Sequence, residues 1–311
     1  MRAWIGVIVL LGVVSPAPSA ASEDVLRFAW PSRGEAIVEL TDEREVGGDA
    51  RSVVIEMRLH VEPDAGSDRV VLSFSDARIV SVDHLEVARA DPAGIRVAVA
   101  RVMKRATPAI VVDREGRFVE ARDTERVARE VLAAAGFPGF PSGLESVKGL
   151  VRDVAREDWS AWVGSWLGPG LEPGEWTRTE SEWDLEGERV AVRATRRGLP
   201  SDGAAGRTRL QASATYPSEA VRRYTSGFLV DMARDAKELG NDDTVLSARF
   251  LERAQFGPVT ETVTVELETA TMRPHFAERT RTFSAVARGH WVSGSERRAH
   301  RFTWSPDPGA R

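Results

Sequence analysis

The sequence predicts an α+β fold: a large, mostly antiparallel, curved sheet, or two packed β-rich halves, covered by several helices. Three observations predict it. Apolar and polar residues alternate along two long blocks, about 25–121 and 175–304, as in sheets with one buried and one wet face. Helical spacing interrupts each block once, and a further helical region, 123–174, bridges them. That bridge runs out through WSAWVGSWLGPGLEPGEW, Trp159 to Trp176 at the start of the second block, which holds four of the nine tryptophans. The expected division is therefore a leader, 1–21, a β-rich half, 22–122, a helical bridge, 123–174, and a second β-rich half with one long helix, 175–311. A single domain over 22–305 is the alternative.

The leader has one basic residue, Arg2, an apolar run from Ala3 to Val14, and small residues at Ser19 and Ala21. This pattern reads as a secretory signal peptide cut after Ala21, because the apolar run is too short to span a bilayer. No later segment is apolar enough to cross a membrane, so a soluble exported protein, periplasmic or extracellular, is expected.

In the first half, Ala36, Val38 and Leu40 alternate, as do Val53, Ile55, Met57, Leu59 and Val61, with Gly47-Gly48 placed for a hairpin between them. Val70, Leu72, Phe74, Ile79 and Val82 continue the pattern. Asp91-Pro92 suits a helix start, followed by Ile95, Val99, Val102 and Met103 at helical spacing. Ala109–Val112 and Arg117–Ala121 flank Asp113-Arg114-Glu115-Gly116, a hairpin with glycine where positive φ is needed.

In the bridge, a helix starts at Asp123 or Thr124, carries Val127, Val131 and Leu132, and stops at Gly136. Phe137–Pro141 breaks the chain, and Leu144, Val147, Leu150, Val151 and Val154 form the next stripe. The stripe slips by one residue between Val154 and Trp159, which predicts a break or kink near Glu157. Trp159, Trp162 and Trp166 fall at i, i+3 and i+7, one face of a helix, with Gly168, Gly170 and Gly174 as its stop and turn. Burying three indoles contributes on the order of 10 kcal/mol, so something must cover them. Two readings follow: a core helix laid across a sheet, or the wall of an apolar ligand cavity. Trp159, Trp162 and Trp166 are the candidate ligand-binding residues.

In the second half, 175–185 and 188–196 pair across Glu186-Gly187, and Leu210, Ala212, Ala214 and Tyr216 alternate. Pro217 opens a helix with Val221, Tyr224, Phe228, Met232 and Leu239 on one face, ending at Gly240. Strands are expected over 243–253, 259–268, 278–287 and 297–304. The two halves share no residue-level repeat.

Composition removes several chemistries. With no cysteine there is no disulfide, thiolate metal site or lipidated N-terminal cysteine. A net charge of −5 argues against nucleic acid as a partner. The five histidines, His60, His84, His275, His290 and His300, form no close ligand pair, and His290 and His300 read as surface residues that could at most meet across a hairpin. No cofactor is expected: Gly168, Gly170 and Gly174 miss the dinucleotide fingerprint, and GSWLG around Ser165 is out of register for a nucleophile elbow. Acidic pairs such as Asp113 with Glu115, Glu157 with Asp158 and Glu180 with Glu182 are what chance gives among 47 acidic residues.

The segments PAIVVDREGRF (108–118), GLEPGEWTRTESEW (170–183) and ETATMRPHF (268–276) resemble a layout found in secreted β-rich bacterial proteins of uncharacterised function. The resemblance rests on turn and strand-edge features and carries no active site. The mix of long strands and covering helices is also similar to periplasmic lipid carriers with an open half-barrel. The leading expectation is an exported, non-catalytic envelope protein that binds a partner or an apolar ligand. The alternatives are a carrier of lipids, an enzyme with dispersed residues, and a purely structural component.

Overall fold

A computed structural model describes residues 26–31, 33–83, 85–86, 107–134, 141–167, 176–185, 188–199, 206–219, 221, 255–287 and 290–306. The predicted leader, the helix over 91–103, the glycine turn at 168–174, the helix beyond Val221 and the strand over 243–253 lie outside these residues.

Strands β1 (Gly34–Val46), β2 (Asp49–Pro63), β3 (Val70–Val82), β4 (Leu85–Glu86), β5 (Ala109–Val112) and β6 (Phe118–Arg122) come first. Helices α1 (Thr124–Ala134) and α2 (Pro141–Trp162) follow, with a 3₁₀ turn at Gly164–Trp166. Strands β7 (Trp176–Leu185), β8 (Glu188–Leu199), β9 (Arg207–Tyr216), β10 (Gln255–Phe256), β11 (Val259–Glu268), β12 (Pro274–Ala287) and β13 (His290–Trp304) follow among the described residues. All belong to one antiparallel sheet ordered β6-β5-β3-β2-β1-β13-β12-β11-β9-β8-β7, with β4 beside β3 and β10 beside β12. The ends of this order, β6 and β7, do not pair with each other, so the sheet is open. The first strand lies in its middle because β1 pairs with the last, β13, from Ala36↔Trp304 to Val46↔Gly294.

The period-2 patterns became strands as expected. Ala36, Val38 and Leu40 of β1 and Ile55, Met57, Leu59 and Val61 of β2 all point into one core. Gly47 and Gly48 have φ of 59° and 85°, the paired left-handed conformation that joins β1 to β2 in a two-residue turn. Gly116 closes the β5–β6 hairpin at φ 82°, and a Cβ there would come within 2.6 Å of the Phe28 ring.

The sheet is strongly curved around α2. Arg156 stacks its guanidinium on Phe118 of β6, while the next residue, Glu157, pairs with Arg279 and Arg281 of β12. Those two strands stand six positions apart, about 29 Å along a flat sheet at 4.8 Å per strand. Two consecutive helix residues reach both only if the sheet curls into a half-barrel. Irregular register between β2 and β3 at Val54/Ile55 and at Glu56/Arg58 contributes to the bend.

Three expectations are corrected. Helix α2 runs unbroken from Pro141 to Trp162, with no break at Glu157, because Ala155 continues the stripe. Val151, Ala155, Trp159 and Trp162, spaced by four, four and three, are its buried face. The helix ends at Trp162, so Trp166 reaches the same core from the 3₁₀ turn and not from a longer helix. Finally, His290 and His300 lie ten residues apart on one strand, and His300 is buried at 4 % exposure, not a surface residue.

Candidate functional site

The site lies between the last two turns of α2 and the concave face of the sheet. It is built from the pairing registers. Leu40, His300 and Ala277 are neighbours across β1, β13 and β12. One row further along stand Asp42, Arg298, Arg279 and Val263, and beyond these Arg281 faces Glu261. The concave face is thus apolar near Phe302 and Trp304 and becomes charged toward the other end of the same strands.

Arg279 and Arg298 stand directly opposite each other, a like-charge pair that destabilises a sheet unless answered. The helix answers it. Glu157, 4 % exposed, pairs with Arg279 and places its second oxygen 3.1 Å from Arg281. Arg281, itself paired with Glu261, is held by burial against its charge, but Glu261 and Glu157 outweigh that and raise its pKa. Asp158 takes Arg298 at 2.8 Å, with Asp42 at 3.9 Å. Adjacent acidic residues on the helix therefore clamp it to adjacent arginines on the sheet.

The tryptophans meet different partners. Trp159 and Trp166 are 0 % exposed and Trp162 is 1 % exposed. Trp159 packs edge-on against Phe28 and Trp30, and its Nε1–H donates to the Gly116 carbonyl at 2.8 Å. The Trp166 Nε1–H donates to the Ala161 carbonyl at 3.2 Å. Trp162 makes edge contacts with Phe74, His300 and Phe302 and lines a cavity. The cavity has a volume of about 150 Å³. Its apolar lining includes Leu40, Ile55, Met57, Phe74 and Ile110, with Ala155 and Trp162 from the helix, and its polar lining is Thr107, Asp158, Arg298 and His300. Of the three sequence candidates, the structure brings Trp162 to this cavity and uses Trp159 and Trp166 as packing beside it.

Sequence reasoning missed His300, Arg298, Glu157 and Arg281. A signal existed in β12, where the inward positions change from Ala277 to Arg279 and Arg281 along one face. The other acidic pairs are elsewhere: Asp113 and Glu115 both bind Arg117 on the β5–β6 hairpin, and His60 bonds Ser75. No cluster of metal-ligating side chains occurs among the described residues.

Burial, then the charges of Arg298 and Arg279, push the His300 pKa well below the usual histidine value. The folded imidazole stays neutral while the unfolded one protonates below about pH 6.5, so unfolding takes up a proton there. Stability should be fully present above that pH and fall below it, by up to about 1.4 kcal/mol per pH unit from this group. Urea unfolding at several pH values should show this slope, and His300→Leu should flatten it; an unchanged slope would contradict the assignment.

No protein-family model matches the chain, and no curated protein matches it. Among solved structures it is similar to one described as lipid-protein interactions in lipovitellin, at a TM-score of 0.43 and 8% identity, covering 91% of this chain and 26% of that one. The chain thus spans about a quarter of the length of that protein. It is also similar to a DUF1329 family protein from Desulfovibrio piger, at a TM-score of 0.16 and 10% identity, covering 90% of this chain and 88% of that one. At these TM-scores neither likeness carries an argument about this chain, and no functional family is assigned by them.

Proposed function

We propose that this is an exported, non-catalytic protein of the bacterial envelope whose half-barrel, taken as one unit over 22–305, binds a small apolar ligand beneath α2. The observation that carries this reading is the cavity, with its apolar lining and the Trp162 indole in it. A space of about 150 Å³ is comparable with engineered core cavities that take up benzene, so it admits one ring-sized molecule. The lipid carrier is the alternative, and it requires room beyond this volume. The buried carboxylates Glu157 and Glu261 and the half-buried Asp158 each bind an arginine, which supports a scaffolding role for them over acid-base work.

Calorimetric titration with toluene should show saturable one-site binding. Ala155→Leu, which adds bulk to the cavity lining, should abolish it while circular dichroism shows a folded protein. Absence of saturable toluene binding by the unaltered protein would refute the reading. The export half rests on the leader pattern of residues 1–21. In a bacterial host the chain should leave the cytoplasm and begin at Ser22, and an uncleaved cytosolic mass would contradict this.

A further inference from the structure

Two unpaired donors beside the cavity, the Trp162 Nε1–H and the Arg298 Nε–H, are sealed from a ligand by the atoms around them. His300 is placed differently. It is 4 % exposed and lines the same cavity. Its contacts are ring contacts, edge-on to Trp162 and stacked toward Phe302, with no hydrogen bond to a described residue. Neither its ring nitrogens nor Nη1 of Arg298 is sealed as those two donors are. A neutral imidazole keeps one N–H to donate, and a buried polar group without a partner calls for one.

Arg298 is incompletely matched as well. Its Nη2 donates to Asp158 at 2.8 Å, but Nη1 stands 3.9 Å from Asp42, beyond hydrogen-bond reach. Arg281, on the neighbouring strand β12, shows how much a guanidinium on this face accepts, since it holds the carboxylates of Glu157 and Glu261 together. The His300 ring also registers the sign of its surroundings: burial first, then the charges of Arg298 and Arg279, lower its pKa. A positive potential thus survives at the ring in spite of Asp158, and it favours an anion. A wholly apolar ligand would leave both the imidazole N–H and Nη1 unmet.

Resting on the ligand-binding reading above, we propose that the cavity takes a small apolar carboxylic acid, its carboxylate set between Nη1 of Arg298 and the His300 ring. A carboxylate suits this pair because it accepts from two donors at once and matches a planar guanidinium. Arg298 and His300 are two residues apart on β13 and both line the cavity, so one head group serves both. The apolar body of the acid lies against Leu40, Ile55, Met57 and Phe74, in a space of about 150 Å³ that holds one ring.

Benzoate and benzamide have nearly the same shape and differ in charge, so calorimetric titration of the full chain with both isolates the head-group contact, and toluene tests the cavity alone. At pH 7 benzoate should bind about tenfold tighter than benzamide, the ratio expected when a charge-assisted hydrogen bond replaces a neutral one. Arg298→Gln should bring benzoate down to the affinity of benzamide and leave toluene binding in place. Benzoate no tighter than benzamide, with toluene still bound, would overturn the inference while the ligand-binding reading stands. Binding of none of the three would overturn both. A benzoate preference that persists in Arg298→Gln, or benzoate binding unchanged in Ala155→Leu, would refute the placement of the carboxylate. The comparison of benzoate with benzamide on the unaltered protein decides the matter even if a variant does not fold.

Discussion

Glu157→Ala is expected to destabilise the protein by about 3–5 kcal/mol, the range for removing one partner of a buried ion pair. The side chain is 3 % exposed and is shared by two guanidinium groups. Its loss leaves Arg279 facing Arg298 without its own carboxylate and takes one buried carboxylate away from Arg281. Because the group is buried, added salt should recover little of the loss. Denaturant unfolding of the variant would measure this, and a change below about 1 kcal/mol would show that the clamp is not structural. In a chain this long the shift in Tm should be on the order of 10 °C.

The second large effect separates two indoles that look alike in burial. Trp159→Ala should cost about 3–5 kcal/mol, the range for truncating a large buried aromatic, because it removes two edge-on ring contacts and strands the Gly116 carbonyl. Trp162→Ala should cost about 1–2 kcal/mol less. Its ring already borders an unfilled volume and loses no indole hydrogen bond. Parallel unfolding curves for the two variants would test this, and equal losses would mean that Trp162 is packed as fully as Trp159.

The strands of the two β blocks and the helical bridge were legible because each element repeats one period over enough residues. β1, β2, β9 and β11 carry alternating apolar residues, and most of the apolar positions the pattern selects are buried. The continuity of α2 was not legible, since Ala155 is small and weakly apolar and does not register as a stripe member beside tryptophan. Glu157 and Arg281 were unreadable for a deeper reason. In a sequence a charged residue reads as a solvated one, and only the register that sets Arg279 against Arg298 shows that two carboxylates must come from elsewhere. His300 is hidden in the same way: it shares the inward face of Phe302, but a histidine reads as a polar residue. Trp162 was visible as an aromatic on the right face, but its unmet N–H is a property of neighbours distant in the chain.

The pairing of β1 with β13 has a consequence for how the chain reaches this state. Glu43 and Arg297, joined across these two strands, are separated by 254 positions in sequence. The middle of the sheet therefore closes last. While the chain is being made, the β1–β2 hairpin offers one long unpaired edge that finds its partner only after the final strand has emerged. Such distant contacts slow folding, and an unpaired edge invites pairing with other chains during the wait. Refolding from denaturant is expected to be slow and concentration-sensitive, governed by how soon β1 and β13 find each other.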